Sequence, residues 1–255
     1  PIPPSRIAIR CVINFRRSFS MQSLLICLIL QCKSASSSLY INKSRYVDMF
    51  CILVKRVEEL HMPRLLLASS SPRRHQLMNE AGYQFEVCCS NVEEISNESM
   101  NAVELTTANA KLKAEPVSNA NPDSIVIGAD TVVSLDNKIF GKPTDLEHAS
   151  VMLAQLTGRT HDVTTGVSIL SSKKKINFHV ITEVTFKPLT ETEVLQYLNL
   201  INPLDKAGAY AAQDHGDFII DKYSGSYTNV VGLPMSELKN KLAEEFKIYP
   251  ESNIS

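Results

Sequence analysis

Three features of the sequence predict a mixed α/β protein. A short apolar run, Leu65 to Ala68, passes through a serine loop into a helix led by proline; a longer apolar run carries one carboxylate in its middle; and amphipathic stretches alternate with further apolar runs.

In chain order, Leu65 to Ala68 reads as a buried strand ending in Ser69-Ser70-Ser71. Ser71 suits the N-cap and Pro72 the first helical position; Leu77, Met78 and Ala81 give the helix an apolar face before Gly82 stops it. Residues 103–117 form a second helix bearing Lys111, and Ser124 to Val133 a largely buried strand. Thr144 and Glu147 have the spacing of a capping box, followed by Leu146, Ala149, Leu153 and Leu156 on one face. Asp162 to Leu170 and Phe178 to Phe186 read as an antiparallel strand pair, and Thr190 with Glu193 opens a helix through Val194 and Leu198. Phe218 to Tyr223 and Tyr227 to Val231 flank a Ser-Gly-Ser turn, and Pro234 opens a last helix with Met235, Leu238, Leu242 and Phe246 on one side. No internal repeat or low-complexity linker follows Met62.

Composition bounds the function. At 255 residues, 44% hydrophobic and 21% charged, the chain can bury a sizeable core, and a net charge of −1 argues against a nucleic-acid-coating or polybasic membrane partner. The charge is uneven: residues 1–61 hold nine Lys/Arg against three Asp/Glu, while the remainder holds seventeen against twenty-four. Cysteines follow the same split, with only Cys88 and Cys89 after position 61. Adjacent cysteines without a C-x-x-C pair indicate a reduced, cytoplasmic body in which both are packing residues. The run Leu24–Leu30 after Arg16 and Arg17 superficially resembles a signal peptide and is too short to span a bilayer. Met62 reads as a start, so residues 1–61 are expected to be an extension outside the functional protein, and 62–255 the working domain.

Several residues could carry chemistry. Ser69 to Arg74 offers hydroxyls, backbone N–H groups and two guanidiniums at a helix start, which suits an anion; a capped helix with solvated arginines fits equally well. No Walker loop is present. Asp130, inside an apolar strand, needs a metal, a cation or a donor opposite it, and a structural salt bridge is the plain alternative. Glu93 and Glu94 form a loop pair. Lys111, and Lys142 in its Gly-Lys-Pro turn, suit a polyphosphate, though each alone reads as a surface lysine. Lys206 is divided between pairing with Asp205 and a functional role. His161 is expected to make a structural hydrogen bond.

Taken in order, Leu67 to Arg74, Gly128-Ala129-Asp130-Thr131, Gly141-Lys142-Pro143, Thr157 to His161, Asp205 to Tyr210 and Gly225 to Pro234 resemble the Maf family from about Pro63 to Phe246. That resemblance implies an elongated mixed sheet flanked by helices, in two lobes with a central cleft. It also implies a nucleoside triphosphate pyrophosphatase that cuts between the α- and β-phosphates with Mg²⁺ or Mn²⁺. By carry-over Asp130 would accept the proton, Glu94 with Asp130 would place the metal or water, and Ser69, Arg74, Lys111 and Lys142 would hold phosphates. Arg73, Thr131 and Gln213 fit members acting on dTTP and UTP, with modified pyrimidine triphosphates alongside. The alternatives are a 7-methyl-GTP pyrophosphatase and a nucleotide-binding regulator without turnover. Ala211 stands where the family usually has glycine, and would strain the loop carrying Gln213 if that position needs a positive φ. A homodimer is implied by the resemblance alone.

Overall fold

The computed structural model describes residues 63–97 and 99–251. The readings of residues 1–61 and of Met62 as a start lie outside the described residues. The described residues belong to one compact unit, in which a seven-stranded sheet runs in the order β2 (Glu86–Val87), β1 (Arg64–Leu67), β3 (Ser124–Leu135), β5 (Thr160–Leu170), β6 (Lys175–Phe186) and β7 (Ile220–Ser224), with β4 (Lys138–Phe140) added to β3.

The first unit is strand, loop, helix. In β1 (Arg64–Leu67) the three leucines are buried. Helix α1 (Pro72–Glu80) starts on its proline; Ser71 sits at the cap position, but its side chain makes no capping bond. Its N–H instead donates to Ser69 Oγ at 3.3 Å. After β2 (Glu86–Val87), α2 (Ala102–Ala120) outruns the expected 103–117 at both ends. An Asn101–Glu104 capping box starts it, and the helix continues through Pro116.

Strands β3 (Ser124–Leu135) and β4 (Lys138–Phe140) form a hairpin. Helix α3 (Leu146–Leu156) is capped one residue later than expected: Asp145, not Thr144, accepts the N–H of His148, at 2.7 Å. Leu146 accordingly points outward at 58% exposure, while Ala149, Leu153 and Leu156 are buried. Strands β5 (Thr160–Leu170) and β6 (Lys175–Phe186) are the expected antiparallel pair, and the Thr190–Glu193 box opens α4 (Glu191–Leu200). The two runs around the Ser-Gly-Ser turn differ. The first divides into a helical turn, α5 (Gly216–Ile219), and β7 (Ile220–Ser224), whereas the second is α6 (Tyr227–Val231), capped by Ser226. Helix α7 (Met235–Lys241) runs into a wide turn, and its apolar side buries Met235, Leu238 and Leu242.

Strand β3 organises the core. Ile125 and Ile127 pack with Leu65, Leu67, Val167 and Leu238 in one cluster. Val133 and Leu135, further along the strand, pack with Phe140, Leu153, Phe186 and Tyr197 in another. Each such side chain contributes about 1.5–3 kcal/mol when fully buried. The two expected lobes are therefore two packing centres on one continuous sheet, and Asp130 and Thr131 lie between them.

The sheet is also incomplete at that point. On one edge of β3, β1 pairs with Ser124 to Ile127 and β4 with Val133 to Leu135. Gly128 to Val132, between them, has no strand partner on that edge among the described residues, although β5 pairs with the whole stretch on the other. Helix α2 lies tightly against this region. A Cβ built on Gly128 would stand 2.2 Å from the carbonyl oxygen of Ala110, and one on Gly166 would stand 2.5 Å from the backbone of Thr106. Gly166 is the cross-strand partner of Asp130. Two missing side chains thus bring α2 down beside the carboxylate.

Candidate active site

The gap in the sheet opens into a cleft of about 390 Å³, a size that suits a nucleotide. Ser69, Arg73, Arg74, Glu94, Asp130, Thr131, Lys142 and Gln213, from distant parts of the chain, all line it.

Asp130 is 6% exposed, so its charge needs partners. Helix α2 supplies two. Lys113 Nζ lies 2.6 Å from Asp130 Oδ1, and Asn109 Nδ2 donates to Oδ2 at 3.3 Å. Asn109 does more: its amide accepts the N–H of Ile95 at 2.8 Å and donates to the Ile95 carbonyl at 3.1 Å, pinning the loop beside Glu94. Glu94 Oε1 then reaches the same ammonium, 2.9 Å from Lys113 Nζ, with Lys142 Nζ 3.9 Å away. Burial acts to raise the Glu94 pKa, but the Lys113 hydrogen bond and the charges of Lys113, Lys142 and Arg74 outweigh it and hold the carboxyl below its ordinary value.

Lys111, expected to hold phosphate, is not at the cleft. It pairs with Glu115 on the helix surface at 3.6 Å, and Lys113 occupies the place foreseen for it. The reason is helical phase: at 100° per residue, Lys113 falls within the arc of α2 that buries Leu105, Thr106, Asn109, Ala110, Ala114 and Val117, and Lys111 falls outside it. That arc was the available signal for Lys113 and Asn109, both absent from the sequence expectations.

Arg74, 8% exposed, lines the same cleft. Its Nε donates to the Gly232 carbonyl at 2.8 Å, Nη1 to Ser69 Oγ at 3.2 Å and Nη2 to Thr131 Oγ1 at 3.0 Å. All three acceptors are neutral, and among the described residues no carboxylate lies within ion-pair distance of Arg74. Burial pulls its pKa below the ordinary arginine value, with Asp130 acting in the opposite direction. A buried cation with no carboxylate at ion-pair distance is costly, and an anion entering the cleft would relieve that cost. Thr131, expected to select the base, accepts the bond from Arg74 and also shares a 2.9 Å hydrogen bond with Thr165.

The remaining residues form the other wall. Arg73 Nη1 donates to Asp205 Oδ2 at 3.1 Å, and Lys206 Nζ donates to Asp205 Oδ1 at 2.8 Å and to the Asn202 carbonyl at 2.7 Å. Lys206 is thus the partner of Asp205. Gln213 is exposed in the cleft. The strain foreseen at Ala211 is absent: positive φ falls at Gly208 (69°) and Ala209 (62°), before it. His161 makes the expected structural bond, its Nε2 2.9 Å from Tyr210 Oη, and burial lowers its pKa to about 4. The cysteines divide: Cys88 is half-buried against the core, but Cys89, expected to pack, is exposed at the cleft.

This geometry, with a carboxylate inside an apolar strand, a second carboxylate brought to the same ammonium and a buried arginine in the same cleft, falls within residues 64–245, which match the family model for Maf-like proteins. The chain belongs to the Maf-like family. Relatives include a dTTP/UTP pyrophosphatase of Akkermansia muciniphila, 46% identical over 177 residues, which are 69% of this chain and 94% of that protein. Another, from Bacillus pumilus, bears the same name and is 42% identical over 189 residues, 74% of this chain and all of that protein. A solved structure of the Staphylococcus aureus Ham1 protein is 16% identical, with a TM-score of 0.39, over 60% of this Maf-like chain and 89% of that one. That likeness carries no argument about the site.

Proposed function

We propose that this Maf-like protein hydrolyses dTTP and UTP, and modified pyrimidine triphosphates with them, to the monophosphate and pyrophosphate. One observation carries the reading: Asp130 lines the same cleft as a buried Arg74 that, among the described residues, has no carboxylate within ion-pair distance, so the cleft holds a cation that a polyphosphate would neutralise.

Attack by water on a phosphoanhydride needs a base for the proton and fixed positive charge for the departing pyrophosphate. Asp130 is the base, held by Asn109 and Lys113. Arg74, Lys113 and Lys142 receive the phosphates, and the Ser69 hydroxyl orients Arg74. Asp130 and Glu94 bring oxygens to one point, now occupied by the Lys113 ammonium. Two carboxylates completed by phosphate oxygens are a donor set that fits Mg²⁺ or Mn²⁺. Among the described residues no three His, Cys, Asp or Glu gather to hold an ion alone, so substrate oxygens would complete the shell. Such an ion would neutralise charge on the phosphoryl oxygens.

Arg73 and Gln213, on the far wall, are assigned to the base. The same proposal places the enzyme in the cytoplasm, consistent with the free thiols of Cys88 and Cys89, and allows a homodimer. Among the described residues no helix is long and apolar enough to cross a membrane. The test is pyrophosphate release by residues 62–255 with Mg²⁺ or Mn²⁺ from dTTP, UTP, CTP and 7-methyl-GTP. Release from dTTP and UTP ahead of the others is expected; no release from any triphosphate defeats the reading.

A further inference from the structure

The wall that carries Gln213 is built unusually. Ala209 is held at a φ of 62°, which residues with side chains seldom adopt and keep only when their surroundings enforce it. Two residues on, Ala211 is gripped from behind by Tyr197, a fully buried side chain of α4. The Tyr197 hydroxyl donates to the Ala211 carbonyl at 3.2 Å and accepts the Ala211 N–H at 3.1 Å. Between these points the Tyr210 ring stands edge-on to His161 and Phe186, at 5.5 and 4.8 Å between centroids. Burial pushes the Tyr197 phenol up to about 12, so the hydroxyl keeps its proton over the working range. Tyr197 lies in none of the sequence blocks that carry the family resemblance, and it does not line the cleft.

We propose that Tyr197 is a positioning residue for base selection: by holding both peptide groups of Ala211, it presents Gln213 to the base end of the cleft. This rests on the proposed pyrimidine specificity. Loss of the hydroxyl leaves the Ala211 N–H and carbonyl unpaired in a buried place, and the segment relaxes toward solvent. Gln213 then samples several orientations, which weakens binding of the correct base without touching the reacting phosphates.

The experiment compares wild type and Tyr197→Phe on UTP, dTTP and CTP. The KM for UTP and dTTP should rise about tenfold with kcat within about twofold, the CTP values should stay the same, and the Ala211 amide should exchange with deuterium about tenfold faster. An unchanged UTP-to-CTP preference, or an equal loss on all three nucleotides, overturns the proposal, the latter because it marks a merely structural role. Should Tyr197→Phe not fold, Ala212→Gly keeps both hydrogen bonds to Ala211 and loosens the backbone between that anchor and Gln213. Its UTP KM should rise about threefold, and no change overturns the proposal. If wild type releases no pyrophosphate from UTP or dTTP, the function reading fails separately. Affinity for a non-hydrolysable UTP analogue then decides: about tenfold weaker binding by Tyr197→Phe supports the positioning role, and equal binding overturns it.

Discussion

The two walls of the cleft are held by different forces. One is electrostatic: Asp130, Glu94, Lys113 and Arg74 arrive from β3, a loop and two helices, and each is placed by a charge or a charge-assisted bond. The other rests largely on neutral groups, with Tyr210 set among His161 and Phe186 and Ala211 bonded to Tyr197, and only the Arg73–Asp205–Lys206 cluster charged. On the proposed function, the contrast separates chemistry from choice. Changes in the first wall should act on the rate for every nucleotide, and changes in the second on which nucleotide is taken.

The largest break should come from Asp130→Asn, which keeps the shape but removes the proposed base and leaves Lys113 paired with Glu94. The expected fall in kcat is about 10³-fold on UTP and dTTP alike, read by pyrophosphate release from protein whose fold is checked by circular dichroism. A loss confined to one nucleotide would refute the division of labour. Lys113→Met should lower kcat/KM about 10²-fold, whereas Lys111→Met should leave it within about twofold. Equal effects of the two would mean that helical phase does not decide the site.

The neutral wall has its own signature in acid. The His161 pKa is lowered from 6.5 to about 4 by burial, so between those values the unfolded chain holds a proton that the folded one does not. Stability is full above the higher value and falls by about 3 kcal/mol as pH drops through the window. Urea midpoints at pH 7.5 and 4.5 should differ less in His161→Gln than in wild type. The smallest effect belongs to Asp205→Asn, which weakens the hold on Arg73 at an exposed mouth. A rise in UTP KM of about threefold with kcat unchanged is expected from steady-state kinetics.

The same contrast explains what could be read in advance. Strand β3, the serine loop, the proline-led helix and the Thr190–Glu193 box follow from local patterns, and a carboxylate in an apolar run announces itself. Arg74 and Lys142 were legible because a proline-led helix start and a Gly-Lys-Pro turn mark their places. Lys113 was missed because a helix assigned without its phase leaves neighbouring lysines equivalent, and only packing on Gly128 and Gly166 chooses between them. The capping shift from Thr144 to Asp145 is a similar near-miss between two competent side chains. Tyr197 left no local trace, since an aromatic residue on a helix face reads as ordinary core until its hydroxyl partner is seen.

Gly128 and Gly166 act as a ruler between helix and sheet. Neither bears a functional group, yet an alanine at either would lift α2 and carry its lysine out of reach of the strand carboxylate. Sequence variants at these two positions would then disable hydrolysis while every residue that handles substrate stays intact, so a damaged copy of this protein could pass inspection of its catalytic groups alone.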